Sequence, residues 1–280
     1  MHFADNHDDG GKKERRQDFL IRYLEQYQYI SLDDIVSLCS VTAQTARRDI
    51  MALERQGKLR RTHGGAVISL PIETGIYHQR RVNNAEAKRL IANKIAELLP
   101  DNCSVFIDTG TTCEAVARAL TVRRNLRVVT YSLRVATTLS ENTDFTIAVP
   151  GGFIRNVDAA VFSENAQNFI RAFKFDYVII SVSGVDNDGD IGDDDYAEVS
   201  AVRAAMGQAA RVILAVDSTK FERRALVRLG SISEMDIVVS EAKPSERLLS
   251  LLDGRKTVYQ VANMDGGSSG SAAKIGATSE

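Results

Sequence analysis

Two groups of residues in this 280-residue chain have types and spacings suited to chemistry, and they lie far apart in the sequence. The first is Thr42, Gln44, Thr45, Arg47 and Arg48, followed by Lys58, Arg60, Arg61 and His63. At 100° per residue, Gln44, Arg48, Met51 and Arg55 share one side of a helix, with Thr45 and Arg47 flanking it, while Ala46, Ile50 and Leu53 take the opposite side. Glutamine pairs with adenine and arginine with guanine in a bidentate manner, so Gln44, Arg47 and Arg48 are candidates for reading base edges in a major groove. Lys58, Arg60, Arg61 and His63 suit phosphates, which add affinity but carry no base information directly. The plainer reading of the same residues is a solvated helix face followed by a hairpin.

The second group follows a series of apolar runs. They lead into Asp108-Thr109-Gly110-Thr111-Thr112, Thr130-Tyr131-Ser132, Gly151-Gly152, Ser183-Gly184 and Asp217-Ser218-Thr219-Lys220. Backbone N–H groups of a tight Gly/Thr turn entering a helix can bind an anion, hydroxyls add donors, and Lys220 adds a point charge for a phosphate. Gly and Thr after a strand are also ordinary turn chemistry; it is the recurrence after several strands that favours a ligand. Asp186, Asp188 and Asp190 have calcium-loop spacing, but Ile191 and Ala197 stand where such a loop needs glycine and glutamate, so no metal is expected. Asp195 and Glu198 have two readings, acceptors for the hydroxyls of a polyol or a solvated loop capping the next helix.

These residues need elements to position them. Phe19, Leu20, Tyr23, Leu24 and Tyr27 recur at helical spacing and predict a helix from about Lys12 to Gln28. Ser31 opens a second helix, with Asp34 completing a capping box and Leu32, Ile35, Val36 and Cys39 facing inward. Thr42 caps a third helix, which ends near Gln56, and Gly57 is placed for the left-handed conformation that terminates it. A short basic strand, a Gly64-Gly65 turn and a second strand complete a winged helix-turn-helix. From Asn83 the pattern changes. An amphipathic helix runs to Pro100, and apolar runs at 105–107, 128–129, 146–149, 177–182, 212–216 and 237–239 alternate with helical segments such as 114–120 and 196–209. Such interleaving indicates a mostly parallel α/β sheet covered on both faces, with ligands beyond the carboxyl ends of its strands.

The net charge of -2 conceals an asymmetry: residues 12–81 hold 13 Lys/Arg against 8 Asp/Glu, so the rest of the chain is acidic. A basic module joined to an acidic one fits a nucleic-acid contact confined to one end. Three cysteines, Cys39, Cys103 and Cys113, without CxxC spacing, imply neither a disulfide framework nor a zinc site and suit a reducing cytoplasm. No apolar run approaches the roughly 18 residues that cross a bilayer, so no membrane partner is expected. The organisation expected is a winged helix-turn-helix over 12–68, a linker over 69–82, an α/β domain over 83–262 and a flexible tail over 263–280, rich in Gly, Ser and Ala.

The run TAQTARRDIMALERQGKLRRTHGGAV resembles the N-terminal signature of the DeoR family of bacterial transcriptional regulators, whose hallmarks stand here as Arg47, Arg48, Asp49 and His63 to Ala66. Ala43 occupies a position where many members have proline. The resemblance continues through Phe106 to Leu120, Asp195 to Val199, Asp217 to Phe221 and Gly230 to Asp236, most like the branch that represses glycerol 3-phosphate utilisation. It implies a sensor domain similar to phosphosugar isomerases, with phosphate bound at Asp108 to Thr112 and Lys220 and polyol hydroxyls nearer Asp195 and Glu198. Tyr131, Phe162-Ser163 and Glu222 depart from the family pattern, which usually has asparagine at the first and glycine at the others.

The function expected is therefore a repressor that binds double-stranded operator DNA as a homodimer or homotetramer. A phosphorylated sugar or polyol, above all glycerol 3-phosphate, would release it, and no cofactor is required. The rival readings are a sugar-phosphate isomerase or deaminase with a DNA-binding appendage, a regulator answering another sugar phosphate, and an architectural DNA binder without a ligand. No histidine follows Arg81, which weakens the enzyme reading, although Glu198 or an aspartate could move a proton.

Overall fold

A computed structural model describes residues 9–27, 29–68, 77, 79–163, 165–253 and 256–262. Most of the expected linker and the whole Gly/Ser/Ala tail lie outside the described residues, and residues 79–82 are helical. The chain divides into two compact units, Met1–Asn83 and Asn84–Glu280.

In the first unit, α1 (Asp9–Tyr27), α2 (Leu32–Cys39) and α3 (Ala43–Arg55) pack with β1 (Tyr29–Ser31), β2 (Leu59–Thr62) and β3 (Gly65–Ile68), an antiparallel sheet in the order β1-β3-β2. Local chemistry sets the helix ends. Ser31 Oγ accepts the Asp34 N–H at 3.0 Å while the Asp34 carboxylate accepts the Ser31 N–H at 3.3 Å, satisfying donors that the first turn of α2 cannot pair internally. Thr42 Oγ1 accepts the Thr45 N–H at 3.2 Å at the start of α3. Beyond α3, Gly57 takes a φ of +68°, and the Gly57 and Lys58 N–H groups close onto the Glu54 and Leu53 carbonyls, a left-handed termination that glycine adopts without strain. The core is Leu20 and Leu24 from α1, Ile35 from α2, Ala46, Ile50 and Leu53 from α3, and Ile30, Leu59 and Ala66 from the sheet. Each large apolar side chain fully buried here is worth roughly 1.5–3 kcal/mol against its exposed state.

Two features differ from the sequence expectation. Strand β1 was not foreseen, because three residues are too few to show alternation. The wing turn is His63-Gly64 rather than Gly64-Gly65, with Thr62 facing Gly65 across it. Gly65 belongs to β3 and must be glycine because of β1: a Cβ there would stand 2.0 Å from the Ile30 carbonyl oxygen.

The second unit runs α4 (Ala85–Leu98), β4 (Ser104–Ile107), α5 (Thr111–Ala119), β5 (Arg127–Thr130), α6 (Leu133–Asn142), β6 (Thr146–Ala148), β7 (Phe153–Arg155), β8 (Ala160–Phe162), α7 (Ala166–Arg171), β9 (Phe175–Ile180), β10 (Gly184–Val185), β11 (Asp190–Asp193), α8 (Tyr196–Met206), β12 (Ala209–Ala215), β13 (Val227–Ser231), β14 (Ile237–Ser240), α9 (Glu246–Ser250) and β15 (Val258–Val261). Among the described residues a seven-stranded sheet in the order β15-β14-β12-β9-β4-β5-β6 is parallel throughout. Side chains alternate across it. Val105 and Ile107 join Ile91 and Ile95 of α4 and Val116 of α5 on one face, whereas Phe106 joins Val199 and Val202 of α8 on the other. Both faces are therefore covered, and the parallel arrangement brings every carboxyl end of the sheet to one edge.

Two antiparallel excursions complete the unit, the β7-β8 hairpin and the β10-β11-β13 sheet. The acidic run is the β10-β11 hairpin. Asp186 Oδ1 accepts the Asp188 and Asp190 N–H groups, each at 3.0 Å, and Asp188 and Asp190 pair with Arg247 and Arg228.

Candidate DNA-reading surface and effector site

On α3 the residues expected to read bases stand outward: Gln44, Arg47 and Arg48 are exposed, with Arg55 further along. Thr45 is half-buried and its hydroxyl is 3.0 Å from that of Thr42, so both hydroxyls serve the helix cap. Lys58, Arg61 and His63 are exposed along the wing, and Arg60 is half-buried. The wing is held to α3 by Glu54, whose Oε1 accepts the Arg61 N–H at 2.9 Å.

Asp49, one residue beyond the arginine pair, does the opposite of its neighbours. It is buried, and its carboxylate accepts Arg16 Nε at 2.5 Å and Gln17 Nε2 at 3.1 Å, which fastens α1 to α3. The Arg-Arg-Asp run thus has two residues directed to solvent and one that fixes the tilt of the helix carrying them. Sequence reasoning missed this role, although Asp49 shares the inward phase of Ala46 and Ile50.

In the second unit, the loop between β4 and α5 lies at the carboxyl edge. Gly110 takes a φ of +107° with the Ser181 hydroxyl oxygen 3.0 Å from where a Cβ would be, a conformation open to glycine and strained for other residues. No side chain caps α5 at Gly110, so the N–H groups of its first turn, with the helix dipole behind them, are arranged as anion donors. The side chains of Thr111 and Thr112 are buried beneath them. The Asp108 carboxylate is also buried, and it accepts three donors: the Tyr131 hydroxyl, the Thr109 N–H at 2.8 Å and the Ser181 N–H at 3.3 Å. Burial holds this carboxyl well above the usual range, against the opposing effect of the Tyr131 hydrogen bond.

From this loop a chain of hydrogen bonds leads to the other predicted acidic residues. Thr109 Oγ1 donates to Asp158 Oδ2 at 3.3 Å. Asp158, buried in the β7-β8 turn, takes two bonds from the Arg155 guanidinium, at 2.9 and 2.5 Å. Arg155 reaches further to Asp195 at 2.6 Å and to Glu198, and its guanidinium carbon lies 4.7 Å from the centre of the Phe162 ring. Asp195 also caps α8 through the Ala197 N–H at 2.7 Å. Burial would raise the Asp158 carboxyl, but the hydrogen bond and charge of Arg155 outweigh it and hold the group below its ordinary value. Glu198 goes the other way: burial, followed by the charge of Asp193, pushes it up to about 7 despite Arg155. Burial works against the Arg155 charge, yet the Asp158 and Glu198 hydrogen bonds raise its pKa above the usual range.

The remaining expected positions are spread along the same edge. Ser132 is buried and caps α6, its Oγ accepting the Val135 N–H at 3.4 Å. Gly151 and Gly152 follow β6 and are exposed; a Cβ on Gly152 would meet the Phe162 carbonyl oxygen at 2.3 Å. Lys220 ends a short 3-10 turn after β12, two strands from β4 in the sheet order, and is half-buried. Thus Asp108, Thr109, Asp195 and Glu198 are joined in one hydrogen-bonded set by Asp158 and Arg155, two residues that sequence reasoning did not select. No local motif marks either.

A winged helix-turn-helix with an outward basic helix, followed by a parallel α/β unit with donors gathered at its strand ends, defines a DNA-binding regulator with a separate sensor. Two family patterns match: a DeoR-like helix-turn-helix domain over residues 16–70 and a DeoR C-terminal sensor domain over residues 83–242. The chain belongs to the DeoR family of transcriptional regulators. It is 39% identical over 241 residues to the glycerol-3-phosphate regulon repressor of Escherichia coli, covering 86% of this chain and 96% of that one. The glycerol-3-phosphate regulon repressor of Haemophilus influenzae is 36% identical over 252 residues, 90% of this chain and 98% of its own. The transcriptional repressor CsqR of Escherichia coli is 35% identical over 237 residues, 85% and 91% of the two chains. Among solved structures, ribose 5-phosphate isomerase A of Methanocaldococcus jannaschii overlaps 50% of this chain and 55% of its own with a TM-score of 0.38 and 12% identity. That overlap is too slight to bear on chemistry.

Proposed function

We propose that this protein is a non-catalytic, cytoplasmic repressor whose grip on operator DNA is loosened by a short phosphorylated polyol, with glycerol 3-phosphate the first candidate. The observation that carries the reading is the pairing on one chain of an outward Gln44/Arg47/Arg48 helix with a sensor whose anion-donor loop adjoins a carboxylate cluster. Gln44 and Arg48, with Arg47, read base edges, while Lys58, Arg60, Arg61 and His63 meet phosphates. The effector phosphate rests on the N–H groups of 110–112, with Lys220 adding charge, and Asp195 and Glu198 accept its hydroxyls. Asp108 serves from beneath, its three donors fixing the loop. Identity to two glycerol-3-phosphate regulon repressors supports the choice of ligand.

The protein acts as a homodimer or homotetramer. Two copies of such a helix address half-sites about 34 to 36 Å apart or a multiple of that distance. Release requires that the effector prefer one conformation over the other, a coupling that typically amounts to about 1–3 kcal/mol.

A gel-shift titration against the DNA upstream of the protein's own coding sequence, with phosphorylated C3 to C6 metabolites, tests this. Release of the duplex by a C3 polyol phosphate without product formation is expected. The near-neutral Glu198 beside Arg155 favours one second reading, proton transfer on a sugar phosphate. Turnover at enzyme-like rates in the same tubes would establish it and overturn the first.

A further inference from the structure

Large apolar side chains are exposed on the sensor chiefly in one place. Among the described residues of the second unit six are exposed, and apart from Val122 and Val258 they are Phe153 at 86%, Ile154 at 55%, Tyr196 at 71% and Leu226 at 81%. These four are neighbours. Phe153 and Ile154 are successive residues of β7, Phe153 and Tyr196 share the wall of a cavity of about 380 Å³, and the Leu226 N–H bonds Asp194, two residues before Tyr196, at 3.3 Å. Single exposed apolar residues are ordinary on a protein surface, whereas a contiguous patch marks a contact.

The backbone of β7 also has an open edge. Its one partner strand is β8, with Ile154 facing Val161. The Val161 N–H bonds the Tyr131 carbonyl at 2.7 Å and the Ala159 carbonyl accepts the Leu133 N–H at 3.0 Å, so these groups of β8 turn away from β7. Ile154 and Val161 are therefore a non-hydrogen-bonded pair, and Ile154 turns its own N–H and C=O to the outer edge. Neither group has a partner among the described residues. Proteins usually guard such an edge with lysine, proline or a bulge. Here the edge is Gly151-Gly152-Phe153-Ile154, and the charge of Arg155 is taken up by Asp158, Asp195 and Glu198.

We infer that this face is the seam between two copies of the chain, with β7 of each pairing antiparallel across a two-fold axis at Ile154. A residue whose N–H and C=O both point outward is self-complementary under such an axis, because it exchanges both bonds with its own copy. The two Ile154 Cα atoms then stand about 5.5 Å apart, and Phe153 of one copy lies opposite Arg155 of the other. The four apolar side chains offer on the order of 500 Å² per copy, the larger part of the roughly 800 Å² per partner that a stable interface buries. The need for two copies comes from the repressor reading above, on which the inference rests. Through Arg155 the seam adjoins the carboxylates proposed to receive the effector.

Sedimentation velocity of the full chain at micromolar concentration tests this on the wild type, on Phe153→Ser with Leu226→Ser, and on Ile154→Pro, each first checked for a cooperative melting curve. The first variant strips apolar area from exposed positions, and the second removes the outward N–H, a change that edge strands tolerate. The wild type is expected to associate, and both variants to halve its mass. A short bis-maleimide should join Ile154→Cys into covalent dimers and leave Val122→Cys, at the opposite edge of the sheet, at the wild-type background. Folded variants that keep the wild-type mass overturn the inference, as does an Ile154→Cys that cross-links no more than Val122→Cys. A wild type that stays monomeric both alone and with operator duplex also overturns it, the result expected if a different protein covers this face. Association that both variants abolish, in a wild type that retains no operator duplex in a gel shift, upholds the seam and sinks the functional proposal instead.

Discussion

Replacing Asp49 with asparagine preserves the shape of the side chain and removes its charge, which isolates the contribution of the α1–α3 tie. The wild-type carboxylate is about as buried as a side chain can be, while Arg16 keeps 18% of its side chain exposed. Breaking a fully buried pair costs roughly 3–5 kcal/mol, and a charge-assisted hydrogen bond is worth roughly 1.5–3 kcal/mol. Because Arg16 can turn partly to water and Gln17 can still pair with the amide, the lower range applies, and a loss of about 2 kcal/mol is expected. For a unit of this size each kcal/mol moves the midpoint by about 4–8 °C, so a fall of roughly 10 °C or more should follow. Scanning calorimetry with and without an operator duplex identifies the relevant transition, since a ligand of the folded unit raises that transition selectively. A double-mutant cycle with Arg16→Gln should then show the two losses to be non-additive. If the operator-sensitive transition of Asp49→Asn coincides with that of the wild type, or if the losses simply add, the tie does not hold the recognition helix and the inward role of Asp49 is wrong.

Other outcomes can be checked independently. Arg48→Ala should lose about 1–3 kcal/mol on the operator but much less on random duplex, whereas Arg61→Ala should weaken both alike and lower the salt slope by about one, as read by fluorescence anisotropy; equal losses for Arg48→Ala on both duplexes remove it from base reading. Gly65→Ala should lower the unfolding free energy read from a urea transition by an amount near the upper end of the roughly 1–3 kcal/mol seen for overpacking, because its Cβ meets backbone, while Gly64→Ala, whose Cβ has only the Tyr29 hydroxyl oxygen at 3.8 Å, should stay close to wild type. Glu198 gives a pH signature: the unfolded chain releases this proton near the ordinary glutamate value and the folded chain near 7, so its contribution is fully present below the former and lost as pH rises through the latter. The ceiling on that loss is about 3 kcal/mol at 1.36 kcal/mol per unit. Glu198→Gln should flatten the decline in melting temperature between about pH 5 and pH 8, and an unchanged decline would contradict the raised value.

The helices and caps of the first unit were legible because they depend on neighbours within one or two turns. Ser31 with Asp34, Thr42 with Thr45 and Gly57 after α3 are local chemistry, and the structure places each as the spacing implied. The parallel sheet was legible for a related reason. Runs such as Val105 to Ile107 are apolar on both faces, which only a strand covered from both sides requires. What escaped were elements too short or too mixed to show a period, among them β1, the β7-β8 hairpin and the acidic β10-β11 hairpin, whose Asp186 holds its own turn while Asp188 and Asp190 pair with arginines elsewhere. Gly65 shows how this misleads: its neighbour in sequence suggested a turn, but its cause is the Ile30 carbonyl on a strand that left no periodic trace.

By itself the sequence determined the class of fold, the outward phase of Gln44 and Arg48 and the inward phase of Ala46 and Ile50, because rotation about a helix axis follows from position alone. It also determined which loops end the strands. Only the tertiary structure decided that Asp49 meets Arg16, 33 residues away, and that Arg155 gathers Asp195 and Glu198 from 40 and 43 residues along the chain. A charge has no period and no fixed partner. Its value depends on which opposite charge the folded chain brings within hydrogen-bonding distance and on how much water is excluded there, and both follow from packing that no local stretch of residues specifies.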